Sequence, residues 1–244
     1  WAYRDQTGAM TPSALTLARY SALAYEDLDT VQKALPDATV MLLDRDDSQA
    51  YVIEEAAHTV VAFRGTQVTS GFSMTDVIRN AKVRPEPWRL GSGGLVHRGY
   101  KEAVDAIADD LAKAVIGAKR PLIYTGHSLG GSMATLARTL APHPDLTVTF
   151  GAPKVGNREF VNIYARYRLE RYVHGRDIAP KHARPWQGYR HGGTFRHIST
   201  SGKVTERKWG WRDELLIPFF RGIAIGTFHH RIGEYVDKLR GAEV

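Results

Sequence analysis

Leu122-Ile123-Tyr124-Thr125-Gly126-His127-Ser128-Leu129-Gly130-Gly131 reads as a buried strand, a sharp turn and the first turn of a helix. Its centre is Gly-x-Ser-x-Gly, the pattern of a nucleophile elbow. Such a turn forces the serine into a strained conformation and exposes its hydroxyl at the end of a sheet. Gly126 and Gly130 carry no Cβ, so strand and helix can approach closely there. The helix N-terminus adds positive potential where an oxyanion would form at Ser128. The flanks agree with this reading. Arg120 to Tyr124 is short, apolar and carries Pro121 near its start, as a central parallel strand can. From Ser132 to Leu140, Met133, Ala134, Leu136, Ala137 and Leu140 recur at helical spacing, and Pro142 stops them.

Outward from the elbow, strands and helices alternate. Thr11 to Tyr25 is a helix; Thr39 to Leu43, Ala50 to Glu54 and Thr59 to Phe63 are strands, the first two joined by the polar turn Asp44 to Ser48. Gly99 to Ile116 is helical, Leu146 to Phe150 a strand, Arg158 to Tyr167 a helix, and Leu169 to His174 and Thr194 to Ile198 strands. Asp213 to Ile225 is apolar but contains Pro218, so a broken helix or buried loop is expected there, before a terminal helix over Phe228 to Leu239. This order predicts an α/β fold with a mostly parallel central sheet and helices on both faces. No linker divides the chain, so residues 1–244 are read as a single domain.

The 244 residues suffice for one well-buried core, and their formal charge is +7. There is no cysteine, which excludes disulfides, thiolate metal sites and a cysteine nucleophile. No apolar run reaches the ~20 residues of a membrane span, so no transmembrane segment is expected. Arg166, Arg168, Arg171, Arg176, Lys181, Arg184, Arg190 and Arg196 make the second half basic. That surface either draws the chain to anionic lipid or is simply an arginine-rich soluble face. The basic residues are dispersed and no recognition motif accompanies them, so nucleic acid is not expected as a partner. No leader is visible. The chain opens on Trp1 rather than Met, so a removed leader stays open, and an extracellular setting is favoured over a cytoplasmic one. Nothing bears on oligomeric state.

A serine hydroxyl is a poor nucleophile alone, so a base and an acid must come from elsewhere in the chain. In α/β-hydrolases the chain order is Ser, acid, His. Of ten histidines only His229 and His230 lie late enough, where the terminal helix begins. Asp177, after the strand Leu169 to His174, suits the acid that orients the imidazole. Asp145 precedes its strand too early, and Asp213 and Asp237 lie in or beside terminal helices. Asp177 can also be read as a turn aspartate bonded to its own backbone. The oxyanion donors are expected to be the backbone N–H of Leu129 and that of Thr66, which follows the strand end Phe63-Arg64-Gly65.

Six segments in order resemble the class 3 lipases, the fungal-type triacylglycerol lipase family of α/β-hydrolases: Phe63-Arg64-Gly65-Thr66, Val96-His97-Arg98-Gly99-Tyr100, Gly126 to Gly131, Thr149-Phe150-Gly151-Ala152-Pro153-Lys154-Val155-Gly156-Asn157, Gly175-Arg176-Asp177-Ile178-Ala179-Pro180, and His230 with Tyr235 five residues on. The last spacing prefers His230 over His229 as the base. The resemblance implies hydrolysis of lipid carboxylic esters by Ser128, His230 and Asp177, with Thr66 and Leu129 as oxyanion donors and without metal or cofactor. The chain departs from the family in carrying Val77 where a lid tryptophan is common, and in lacking cysteine, which is more like a bacterial member. The stretch Lys181 to Arg196, with the glycine-rich run 188–193 inside it, maps onto no segment of the family pattern.

Gln67 to Pro87 is read either as a mobile lid, with Phe72, Met74, Val77 and Ile78 as its apolar inner face, or as a fixed helix packing those residues on the core. Ile217 and Phe220, with their apolar neighbours, either line an acyl pocket or belong to the core. A lipid or ester substrate, met at a lipid–water interface, is the expected partner. The rival readings are a phospholipase A1 or short-chain carboxylesterase with the same chemistry, and a non-catalytic lipid- or protein-binding domain.

Overall fold

The computed structural model describes residues 11–65, 84–89, 93–182, 187–207 and 226–241. Its elements are α1 (Ala14–Leu23), α2 (Leu28–Ala34), β1 (Thr39–Arg45), β2 (Ser48–Glu54), β3 (Thr59–Phe63), β4 (Pro85–Pro87), β5 (Leu95–His97), α3 (Arg98–Val115), β6 (Leu122–His127), α4 (Leu129–Ala137), β7 (Leu146–Phe150), β8 (Gly156–Asn157), α5 (Arg158–Ile163), β9 (Leu169–His174), β10 (Tyr189–Arg190), β11 (Thr194–Ile198), β12 (Val204–Glu206) and α6 (Ile232–Arg240).

All six residues of β6 are buried, because the strand is sandwiched between two cores. Side chains along a strand point alternately to opposite faces. Leu122 and Tyr124 therefore join one core with Val61 and Phe63 of β3 and Val52 of β2. Ile123 joins the other with Val60, Ala62 and Ile53. The first core is closed by α3 and α4, the second by α1 and α6. A continuous apolar strand covered on both faces is what a parallel sheet needs. The sheet order is β1-β2-β3-β6-β7-β9-β11-β12. The pairs from β3 to β11 are parallel, and antiparallel pairs finish both edges.

The helices follow from local chemistry. In α3, Tyr100, Val104, Ile107, Leu111 and Val115 form the buried stripe. Its outer face carries Arg98–Glu102 and Lys101–Asp105 pairs at i,i+4. Ser13 caps α1 by accepting the Thr16 N–H at 3.2 Å. Asp27 caps α2 by accepting the Thr30 N–H at 2.8 Å. The β1–β2 turn places both Asp46 and Asp47 at positive φ, 47° and 62°. That is the left-handed pair a tight hairpin uses.

Element bounds depart from the sequence expectation in three informative places. Helix α4 begins at Leu129, in keeping with the first turn expected there, but ends at Ala137 rather than Leu140. The bulk-free Gly130 and Gly131 are its first turn, pressed against the strand: a Cβ on Gly126 would lie 2.5 Å from the Gly130 carbonyl oxygen. The helix after β8 ends at Ile163, short of Tyr167, where the chain turns to present its Tyr164 and Tyr167 carbonyls to the buried Arg138 guanidinium. The terminal helix is interrupted: residues 226–229 make one helical turn, and α6 starts only at Ile232.

A second, small antiparallel sheet, β10-β8-β5-β4, was not foreseen as strands. Two- and three-residue strands carry no readable period. The sheet ties the start of α3 to residues 156–157 through the pairing of Val96 with Gly156. It also gives part of the unmapped region a role, since Tyr189 pairs with Asn157. Gly193, at φ 72°, turns the chain into β11 against Leu169 of β9. The expected segment Asp213 to Ile225 and most of the stretch Gln67 to Pro87 lie outside the described residues. Among the described residues no helix is long and apolar enough to cross a membrane.

Candidate active site

The carboxyl ends of β3, β6 and β9 lie along one edge of the parallel sheet, where α/β folds place their sites. At the end of β6 the chain turns sharply through Ser128, which has φ 57° and ψ −125° and caps α4. Its own N–H donates to the Phe150 carbonyl of the neighbouring strand at 3.0 Å. A residue with a Cβ pays for that left-handed conformation, and the surrounding contacts hold it there.

Ser128 Oγ lies 2.9 Å from Nε2 of His230. Nδ1 of the same ring lies 2.9 Å from Oδ2 of Asp177. A carboxylate can only accept, so Nδ1 carries the hydrogen and Nε2 is left to accept from the hydroxyl; this tautomer follows from the hydrogen-bond network. All three side chains are buried. Asp177 stands three residues beyond β9. His230 stands in the gap between the 226–229 turn and α6.

Asp177 is heavily solvated by protein. Oδ1 accepts the Ala179 N–H at 2.8 Å, and Oδ2 accepts the Tyr235 hydroxyl at 2.5 Å as well as His230. Burial alone would raise its pKa, but the positive charge His230 can carry and these hydrogen bonds together hold it below the usual carboxylate value. Tyr235 moves the other way: burial, then the Asp177 charge, keep its hydroxyl protonated as a donor. Gly151, at φ 59°, leaves room for this cluster. A Cβ there would lie 2.5 Å from Asp177 Oδ2, 2.9 Å from Tyr235 Oη and 3.0 Å from His230 Nδ1.

The neighbouring His229 is turned away from Ser128. Its Nδ1 accepts the Arg176 N–H at 2.9 Å, and its ring packs on His174 at 4.6 Å. The other carboxylates weighed from the sequence do different work. Asp145 accepts from the Leu122 N–H and Arg120, and Asp237 is an exposed partner of Arg240; Asp213 lies outside the described residues. Leu129 is the first residue of α4, so its N–H is one of the groups an α-helix leaves without an intrahelical acceptor. Thr66 lies just outside the described residues, as do Phe72, Met74, Val77, Ile217 and Phe220. Sequence reasoning used Tyr235 only as a spacing mark and gave Gly151 no role of its own. Among the described residues no cluster of three or more His, Asp or Glu is arranged to hold a metal ion.

Residues 60–185 match the family model for lipase (class 3). The secreted mono- and diacylglycerol lipase 1 of Fusarium solani is 33% identical over 157 residues, covering 58% of this chain and 45% of that one. Toxin TseL of Vibrio cholerae serotype O1 is 30% identical over 153 residues, covering 58% and 23%. The chain thus spans less than half the length of these two curated relatives. The crystal structure of a lipase from Rhizopus microsporus var. chinensis superposes with a TM-score of 0.65 at 26% identity, covering 77% of this chain and 76% of that one.

Proposed function

The chain belongs to the class 3 lipase family, and from that premise we propose that it hydrolyses carboxylic esters of lipids, with Ser128 as nucleophile, His230 as base and Asp177 as the acid that orients it. The observation that carries this reading is the unbroken hydrogen-bonded line from Ser128 Oγ through the His230 ring to Asp177, each step 2.9 Å.

The reaction proceeds in two halves. His230 Nε2 takes the Ser128 proton as Oγ bonds to the ester carbonyl carbon. Negative charge on the carbonyl oxygen is held by the N–H groups of Leu129 and Thr66, aided by the N-terminus of α4. The carbon–alkoxy bond then breaks, and the imidazolium gives its proton to the departing alcohol. Water, deprotonated by the same ring, attacks the acyl carbon, and Ser128 leaves with the proton. Asp177 stays ionised throughout and stabilises the transient imidazolium. An extracellular setting is supported by the similarity to the Fusarium relative, a lipase named as secreted.

The test is hydrolysis of p-nitrophenyl esters from short to long acyl chains, below and above substrate solubility, by wild type and Ser128→Ala, with labelling by a fluorophosphonate probe alongside. Long-chain preference with a rate jump at the interface supports the lipase reading. Short-chain preference without the jump supports an esterase. Absence of both turnover and label at Ser128 overturns the enzymatic reading in favour of a binding domain.

A further inference from the structure

The residue before the serine has a side chain that the two half-reactions do not use. His127 ends β6 and is 4% exposed. Its Nε2 lies 2.6 Å from the backbone carbonyl oxygen of His230. Its Nδ1 lies 2.9 Å from the hydroxyl of Tyr25, which follows α1. The two imidazoles lie beside one another, 4.6 Å between centroids and tilted by 35°. A carbonyl can only accept, so His127 carries its hydrogen on Nε2, and Nδ1 accepts from Tyr25. Burial, and then the nearby His230, push the His127 pKa down to about 3, so the ring is neutral wherever His230 works.

The carbonyl it grips is the one released by the interrupted terminal helix. The 226–229 turn closes with His230 N–H to Thr227 and Arg231 N–H to Phe228, and the Glu234 N–H then returns to Arg231 rather than to His230. His230 therefore sits on a backbone joint that no helix ladder holds, with the His127 hydrogen bond across it. A phenylalanine would fill the same volume; what imidazole adds is a donor aimed at this carbonyl and an acceptor for Tyr25.

We propose that His127 is a positioning residue for the base: through Nε2–H it fixes the backbone of His230, so that the imidazole stays between Ser128 and Asp177, and Tyr25 locks the tautomer that makes this possible. The proposal rests on the hydrolase reading above.

The experiment compares wild type, His127→Phe and His127→Gln, whose amide N–H can replace Nε2–H, in ester hydrolysis and in 15N and 1H NMR of the histidine rings. For His127→Phe, kcat is expected to fall about 100-fold, the scale of a small misplacement of a reacting group, while KM stays within about threefold. His127→Gln is expected to recover most of that loss. By NMR the wild type shows His127 protonated on Nε2 and a downfield His230 Nδ1–H; the latter is lost in His127→Phe and regained in His127→Gln. An unchanged kcat with an unmoved His230 Nδ1–H in His127→Phe overturns the proposal, and so does a glutamine variant no better than phenylalanine. If His127→Phe does not fold, Tyr25→Phe decides: with the His127 ring no longer braced, the downfield His230 Nδ1–H should weaken and kcat should fall about tenfold, the worth of roughly one hydrogen bond, whereas wild-type values in both overturn it. A wild type without Ser128-dependent turnover defeats the hydrolase reading alone. The ring resonances need no substrate and still report whether His127 holds His230 in place.

Discussion

Tyr235 places its hydroxyl 2.5 Å from the same Asp177 oxygen that receives the His230 ring. The carboxylate is thus shared between the group that changes protonation in the proposed mechanism and one that does not. Tyr235 stabilises the ionised form of Asp177 without competing for its role. Removing it in Tyr235→Phe should raise the Asp177 pKa and move the acid limb of the kcat/KM profile to higher pH. A hydrogen bond to a charged group is worth ~1.5–3 kcal/mol, so a loss of at least about tenfold in kcat/KM near neutrality is expected. A pH–rate profile superimposable on wild type would contradict this.

Asp177→Asn keeps the shape of the side chain but offers an amide where a carboxylate accepted three donors. The His230 ring is then free to flip its tautomer. Turnover should fall on the order of 10⁴-fold, with the thermal unfolding midpoint little changed. Residual activity above a few per cent in a folded protein would remove Asp177 from the acid role.

Gly151→Ala should damage both stability and turnover. Its φ of 59° disfavours any Cβ, and that Cβ would lie 2.5 Å from Asp177 Oδ2. Gly117 supplies the control: at φ 76° a Cβ there meets nothing within 4 Å. Gly117→Ala should cost only the ~1–2 kcal/mol of the left-handed backbone and leave activity intact. Differential calorimetry and ester hydrolysis on both variants separate backbone strain from collision with the site.

Acid should unfold the protein earlier than its carboxylates alone would. Burial, and then His229, hold His174 down to about 4 from an ordinary 6.5, and His127 is held near 3. A histidine whose folded pKa is depressed binds fewer protons than the unfolded chain as pH falls below the ordinary value. Stability is therefore fully present above about 6.5 and is lost progressively as pH drops towards 4 for His174 and 3 for His127. The slope is of order 1 kcal/mol per pH unit for each group. Urea titrations from pH 7 to 4.5 measure it, and His174→Gln should flatten it; a flat wild-type curve would refute the burial argument.

The parts of this chain that were legible in sequence are those whose causes are local. Strands such as Val60 to Phe63 and Leu122 to Tyr124 announce themselves as apolar runs, and the elbow announces itself by its glycines. Helix α2 was also within reach, since Asp27 capping Thr30 is a local signal. What was not legible depends on distance along the chain. Tyr25 and His127 lie far apart in sequence and meet only because α1 crosses the end of β6. The break before α6 has no proline or glycine at His230 to mark it. The choice between His229 and His230 rested on one spacing, and in space the first ring meets Arg176 and His174 while the second meets Ser128 and Asp177. The small sheet through Val96 and Gly156 depends on pairing between strands too short to carry a pattern.

Ser128 holds a backbone conformation that penalises every residue with a Cβ and spares only glycine. The chain therefore carries a standing instability at the residue on which the proposed chemistry depends. Ser128→Gly should melt higher than wild type and be inert. Reactivity and endurance therefore pull in opposite directions at one residue: the position proposed to react is also the one at which the fold would gain by losing its side chain.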